Sequence, residues 1–546
     1  MNLPPRAPSL LCTTLAALAT VAGAGCDAAA SRAAPVLGAP ALGAVERGEG
    51  SPSLAPAEDE LRGPPGEGAP GPARPGAAPP AGGALDPTFG AGGLVRLDLM
   101  PPFGGLGAIV VGDGGAISVV GGDYGLVARL LENGAPDPSF GFGGVAVPGP
   151  AGFYVSAAAL QPDGRLVISG ADLTATTPRR VLVRRLNADG TPDPSFGEGG
   201  LAGIHLGRDG WANVTDLALQ GDRLVAVGHG EHPDRPGPAA FALRLGPDGS
   251  LDRSFHDPDG FLAYSAPGSA QGVAPGDEFV SLLVRPDGSL FAAGTGQNLA
   301  LPPGEQSPDF LLYHLSPDGQ PDATFGDAGA LYLAPSPGPG PLEEHCAKLG
   351  ATRDGRLVLG GTSYALGASA LVLARRLPDG QPDPSFGEGG TFVLEGGARL
   401  EDLVVLPDDS VVAVGNLGAA GASVAVALHV LPDGRLDPAF GEGGVVRFEP
   451  FVGASAHLIA RQPDGKLVVG GSGFDGTFVR FLARLADPTA CAAGARAPAD
   501  GGSLPGRLRR GRPGVAPADR RAQRAEGGPA PRERVHGAGV RQKVHR

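Results

Sequence analysis

A chain of 546 residues with 93 Gly, 57 Pro and a formal net charge of −14 is long enough for one large domain or several small ones. Its four cysteines, Cys12, Cys26, Cys346 and Cys491, stand at no metal-ligand spacing and form no disulfide framework. From Arg496 onward thirteen Lys or Arg face four Asp or Glu, so that segment carries +9 and the remainder −23, which argues against nucleic acid as a partner of the body.

In chain order, residues 1–26 read as a signal peptide. One positive charge, Arg6, precedes the run LLCTTLAALATVAGAG, which is too short and small-sided for a stable membrane span. GAGCDAAA then resembles a lipobox: Ala24, Gly25 and Cys26 fit, with Gly23 where Leu is usual. Two outcomes follow. Either Cys26 is lipidated and the protein is an outer-membrane or cell-surface lipoprotein, touching the membrane through that lipid alone. Or cleavage after Ala22-Gly23-Ala24 leaves a soluble periplasmic or secreted protein. Residues 27–83, almost all Ala, Gly, Pro, Ser and charge, cannot build a core and suit a disordered tether, spanning very roughly 40 Å root-mean-square if flexible.

Residues 84–486 carry a repeat. Phe89, Phe140, Phe196, Phe255, Phe325, Phe386 and Phe440 each close a D-x-[S/T/A]-F turn, and all but Phe255 are followed by Gly. Between them recur QPDGRLVISG (161–170), RPDGSLFAAG (285–294), TRDGRLVLGG (352–361) and QPDGKLVVGG (462–471). A third signature, VRRLNADG, ALRLGPDG, LYHLSPDG or ARRLPDG, closes the unit. One unit supplies four short strands: FGEGGTFVLEGG, ARLEDLVVLPDD, SVVAVGNLG and ASVAVALHVLPDG. Each is bounded by Gly, Pro or Asp, and no helical period competes. Four strands in about 58 residues, seven times, predict an all-β fold: a single seven-bladed β-propeller of four-stranded blades over 84–486, between disordered termini. An N-terminal strand near Gly92–Leu99 is expected to pair with the last blade and close the ring.

The alternating corner L-D-P-x-F-G-x-G-G and hairpin x-P-D-G-[RK]-[LIV]-[LIV]-x-G-G resemble the bacterial delta-60 repeat, an uncharacterised repeat of exported proteins. The resemblance implies a propeller and an extracytoplasmic home, and no activity. It departs from the pattern in GDGGAISVVGG of the first unit and at His256, where Gly is expected.

The recurring polar residues read as structure. Asp163, Asp287 and Asp464 sit in P-D-G hairpins, where one Asp per turn falls short of the six to eight oxygens of a calcium site. The F-G-x-G-G runs open strands, not the helix a phosphate loop requires. Arg129, Arg185, Arg244, Arg376 and Arg484, with His314 in the equivalent place, are expected to pair with corner aspartates. His229 and His232 in GHGEHPD have no third ligand nearby in sequence. No H-E-x-x-H or G-x-S-x-G occurs, so no cofactor, metal or catalytic residue is assigned.

Strand alternation sorts the loops onto two faces. The P-D-G hairpins and corners share one. The other holds the irregular insertions 228–239, 265–278, 295–309 and 334–344, and such insertions usually mark the binding face of a repeat protein. Trp211, the only Trp, lies there with Tyr124, Tyr154, Tyr364 and Phe103. The leading expectation is a non-enzymatic surface scaffold or recognition module. Its unknown protein or glycan ligand would sit on the insertion face, with Trp211, Tyr154, Tyr124 and Tyr364 as binding candidates. The alternative is an extracytoplasmic hydrolase or lyase, which a cluster of titratable residues around the central channel would favour. Past Thr489 the pattern stops. With forty of the 43 basic residues Arg, residues 487–546 read as a disordered basic tail or as a shifted reading frame of a GC-rich gene.

Overall fold

A computed structural model describes residues 82–489 except 98–104, 123–124, 151, 174–179, 207–211, 232–237, 265–276, 298–301, 303–306, 337–341, 366–367, 419–423, 449 and 475–477. The signal peptide with Cys26, most of the tether, Trp211, Tyr124 and Phe103 lie outside the described residues, as do His232, Cys491 and the basic tail.

Seven four-stranded antiparallel sheets form, each made of strands consecutive in sequence except at the closure. The first strands of the blades are Leu106–Val111, Phe153–Leu160, Ala212–Gln220, Glu278–Val284, Glu343–Ala351, Arg399–Val405 and Val452–Arg461. Each touches the first strand of the next blade, and that of blade 7 touches that of blade 1. They are therefore the inner strands around a central channel, and the domain is a seven-bladed propeller.

The core is divided in the same way. Seven apolar clusters lie one between each pair of neighbouring blades. The second and third strands are buried on both faces, which is why they read as continuous apolar runs instead of alternating ones: Val411–Leu417 and Val424–Val430 are examples.

The repeat is offset from the blade by one strand. The strand that follows each F-G-x-G-G corner, Thr391–Leu394 for instance, pairs with Ala368–Arg376 and is the outer strand of the preceding blade. The expected unit of four consecutive strands beginning at the corner thus straddles two blades. The offset makes the closure possible: Leu94–Leu97 has no preceding blade in the chain and becomes the outer strand of blade 7, paired with Phe478–Leu485. The expected N-terminal closure is the one that forms.

The corners fasten neighbouring blades. Each corner Phe is buried; in five corners the guanidinium of a third-strand arginine lies over its ring, 4.5 Å from the Phe140 centroid for Arg129 and 4.7 Å from Phe196 for Arg185, and at Phe325 and Phe440 a histidine, His314 or His429, stands edge-on instead. The same arginine pairs with the corner carboxylate, as in Arg185–Asp193 at 2.7 Å and Arg244–Asp252 at 2.8 Å. It also donates to a carbonyl of the next blade, Pro247 O at 2.6 Å for Arg185. The turn of that next blade is what the Phe packs on. At Gly190, with φ +85°, a Cβ would stand 3.0 Å from the Phe140 ring, so this turn needs glycine for both its backbone and its space. His256 replaces the corner glycine in a left-handed conformation, φ 47°, and starts a π-turn over His256–Gly260.

In blade 5 the expected arginine is wrong by one residue. Arg375, not Arg376, pairs with Asp383 at 2.7 Å and covers Phe386. Counted back from the turn glycine of blades 1 to 6 the partner stands five residues earlier: Arg185 from Gly190, His314 from Gly319, Arg375 from Gly380. The rule also identifies His429, five before Gly434, which pairs with Asp437 at 3.0 Å and was not anticipated. Arg376 then falls at a core position that is Leu186 in blade 2 and Leu245 in blade 3. It is buried there, and its Nε has no hydrogen-bond partner. Replacing a poorly satisfied buried charge with an apolar side chain should stabilise the domain, so Arg376→Leu is expected to gain about 1–2 kcal/mol. An equilibrium denaturation midpoint reads this; a loss of stability would mean that the guanidinium earns its place.

Candidate binding site at the channel mouth

Inner strands start at the insertion face and run towards the P-D-G face. Each bulges near its start, between Val155 and Ala157, Val214 and Asp216, Phe279 and Ser281, Cys346 and Lys348, Leu400 and Asp402, and Ala456 and Leu458. The bulge re-aims the side chains beside it. One residue before each of those bulges is turned out of the core while both neighbours are buried: Tyr154, Asn213, Glu278, His345, Arg399 and Ser455. Gly105 takes the place in blade 1, before its bulge between Leu106 and Ala108. The result is a ring at the channel mouth with one hydrogen-bonding side chain from each of six blades.

The ring is braced from behind. His345 meets Tyr364 edge-on with centroids 5.6 Å apart, and the Arg399 guanidinium lies 5.5 Å from the same ring. His229 Nδ1 stands 3.8 Å from Glu278 Oε2, and Ser156 Oγ lies 3.4 Å from Asn213 Oδ1. Burial pushes the Glu278 carboxyl up and the His229 and His345 imidazoles down, so these groups are driven towards their neutral forms.

Just below is a second layer. Asp216 of blade 3 accepts from the Leu282 amide at 2.9 Å and the Ser281 hydroxyl at 3.1 Å, both of blade 4. Asp402 of blade 6 repeats the device, accepting from the Ile459 amide of blade 7 at 2.9 Å. Lys348 of blade 5 lies 3.5 Å from Asp216. Asp216 holds its ammonium charged, whereas burial pushes Asp402 up against the pull of Lys348. A titratable cluster therefore does line the channel, as the enzymatic alternative requires. One oxygen of each carboxylate nevertheless accepts from an amide of the neighbouring blade and the other from the next amide of its own strand, Leu217 or Leu403, which makes these side chains staples between blades.

The carboxyls sort by face. On the P-D-G face the Ser139 and Thr324 hydroxyls hold Asp137 and Asp322 below the ordinary range. At Asp193, Asp252 and Asp383 burial works the other way and is outweighed by turn hydroxyls, amides and arginine. At the insertion end burial raises Glu278, Glu401, Asp309 and Glu344. A depression of about 1050 Å³ does open on the P-D-G face between blades 2 and 3. Three of its four arginines are engaged, Arg165 with Asp163 at 3.1 Å, Arg185 with Asp193 at 2.7 Å and Arg223 with Asp252 at 2.8 Å.

Of the residues expected to bind, Tyr154 is a member of the ring and Tyr364 supports two others. Sequence reasoning missed Asn213, Glu278, His345, Arg399 and Ser455; Asn213, Arg399 and Ser455 are lone polar residues between apolar ones, and Glu278 and His345 each follow an acidic residue, Asp277 or Glu344. Among the described residues no three His, Cys, Asp or Glu side chains converge as for a metal ion.

Four segments, 109–140, 161–196, 352–386 and 462–486, match the family described as "Domain of unknown function (DUF5122) beta-propeller". The chain is a β-propeller repeat protein. Each matched segment of the propeller contains a second strand, a third strand or both, where the hairpin and corner signatures stand. No curated protein matches the sequence. Similar solved structures include a protein of unknown function from Dyadobacter fermentans, at 12% identity and TM-score 0.38 over 72% of this chain and 99% of that one. Virginiamycin B lyase from Staphylococcus aureus is 11% identical, at TM-score 0.34 over 71% and 98%. Drosophila Semaphorin 2a is 9% identical, at TM-score 0.44 over 76% and 77%. Likenesses this distant transfer no activity to the propeller.

Proposed function

We propose that this propeller is an exported recognition module without enzymatic activity, anchored by a lipid on Cys26, whose protein or glycan ligand docks on the insertion face. The observation that carries the reading is the division of labour between the faces. Recurring polar residues of the P-D-G face are consumed by corners and turns, whereas the mouth presents six different side chains at one level. The likeness to delta-60 repeats of exported proteins and the lipobox-like GAGC support the destination. Among the described residues no helix is long and apolar enough to cross a membrane.

The titratable cluster of Asp216, Lys348 and Asp402 is what favours the second reading, a hydrolase or lyase working at the channel. Both Asp side chains are occupied as staples, so recognition is the better account.

Two measurements test the proposal. Cys26→Ser should lose both palmitate-analogue labelling and membrane association; retention of both removes the anchor. For a ligand captured by the native protein, Tyr364→Ala should weaken binding by about 1–2 kcal/mol, because Arg399 and His345 lose the ring that orients them. Trp211→Ala is expected to act in the same direction. Asp163→Asn, on the opposite face, should leave affinity unchanged, and the reverse pattern would place the ligand on the P-D-G side.

A further inference from the structure

We infer that the mouth ring is a saccharide site, and that its ligand is an uncharged oligosaccharide or the uncharged end of a glycan chain. The inference rests on the recognition reading and narrows it. Three features of the ring point to this chemistry. The hydrogen-bonding groups are spread around the channel, one per blade in six of the seven, at a single level set by the bulges. A ligand that meets all of them must carry hydroxyls on every side, as a sugar ring does and an extended peptide does not.

The second feature is the mixture of roles. Arg399 only donates; Asn213, Tyr154 and Ser455 donate and accept; Glu278 accepts when ionised; His345 offers one of each when neutral. Sugar hydroxyls both donate and accept, so they can satisfy every member, whereas a phosphate or carboxylate can satisfy only the donors. Tyr154 adds an apolar ring face beside these groups, suited to the C–H face of a pyranose.

The third is charge. The formal charges of Glu278 and Arg399 are opposite in sign, and burial favours the neutral form of His345. An acidic polymer would also meet Glu343, the Glu401 carboxyl and a body carrying −23 before Arg496. A basic ligand would have to pass Arg399 to reach the Asp216–Lys348–Asp402 layer, whose carboxylates are already hydrogen-bonded. A neutral, hydroxyl-rich ligand avoids the cost of bringing an unpaired charge into the channel mouth.

The test titrates the full chain with neutral cello-, xylo-, malto- and chito-oligosaccharides, and in parallel with oligogalacturonate, dextran sulfate and polylysine, at low and high salt. At least one neutral series should bind with an affinity that salt does not change. Asn213→Ala and Glu278→Gln should each weaken it about tenfold, the value of one or two hydrogen bonds, with the melting transition in place. Tyr154→Phe, which removes only a hydroxyl, should give a smaller loss. The inference is overturned if no neutral saccharide binds at millimolar concentration, or if only the charged polymers bind and salt displaces them. Neutral-sugar binding that survives all three substitutions overturns it equally. A protein ligand captured on the insertion face without any sugar binding would sink the saccharide site and leave the recognition reading standing. Loss of insertion-face binding altogether would sink both.

Discussion

Deleting residues 84–97 should unfold the entire propeller, not fray one blade. The segment carries the outer strand of blade 7, Leu94–Leu97, paired with Phe478–Leu485, and the bridge from Leu85 to Leu485. It also carries the corner that joins blade 7 to blade 1. Asp86 pairs with Arg484 at 2.8 Å and with Lys466 at 3.1 Å, and Phe89 is buried beneath the Arg484 guanidinium. Removal strands Arg484, which is buried, without its carboxylate, a loss of the order of 3–5 kcal/mol. Losing the Phe89 side chain from the seam costs about another 3–5 kcal/mol. A domain of ordinary stability has about 5–15 kcal/mol in total, and in a closed ring the damage opens both flanks of the broken seam. The expected result is loss of the cooperative melting transition, or a fall of well over 10 °C. Asp86→Ala and Phe89→Ala should divide the effect between ion pair and packing. An unchanged transition in the deletion would show that the ring does not depend on its closure.

The corners were legible because everything they need is local: an aspartate to accept turn amides, an aromatic plug, and glycines for left-handed backbone. Blade membership was not. The strand after F-G-x-G-G looks the same whether it pairs backward or forward, and only the tertiary partner decides. Arg375 was missed for a related reason. The turn LPDG in blade 5 is one residue shorter than LNADG in blade 2, so alignment on the leucine shifts the arginine by one, while alignment on the turn glycine would have found it. The mouth ring had no sequence signal of its own. F-Y-V, A-N-V, E-H-C and A-R-L share no more than a polar residue at the middle position, and what unites them is a bulge that becomes visible when the seven inner strands are laid side by side.

Stability should be greatest in mildly acid solution and decline as the pH rises from about 4.5 to about 7. The cause lies at the roots of two insertion loops, between blades 4 and 5. Glu344 is 1% exposed; one oxygen accepts from the Ser336 amide at 2.8 Å and the other has no hydrogen-bond partner. Asp309, 5% exposed, accepts from the Ser307 hydroxyl at 3.2 Å. Burial pushes Glu344 from 4.5 up to about 7 and Asp309 from 3.8 up to about 6, and the Asp309 charge adds to the cost of ionising Glu344. Arg376 offers Glu344 a weaker opposing pull, and Asp277 is a further buried acid of blade 4. Because the folded state keeps protons that the unfolded chain releases, stability falls with pH wherever folded and unfolded forms differ, and is level again above about 7. For Glu344 alone the span corresponds to roughly 3 kcal/mol. The corners act with the opposite sign. At Asp86 burial is outweighed by Thr88, Lys466 and Arg484, which hold the carboxyl at about 2, and its contribution disappears only as the pH drops from 3.8 through about 2. The two trends leave a maximum near pH 4–5. Melting temperatures at pH 4.5, 6 and 8 check this, and Glu344→Gln should flatten the upper limb while leaving the acid limb intact. A wild-type protein more stable at pH 8 than at pH 4.5 would mean that Glu344 and Asp309 reach water or a cation in solution, and that this seam opens more readily than its burial implies.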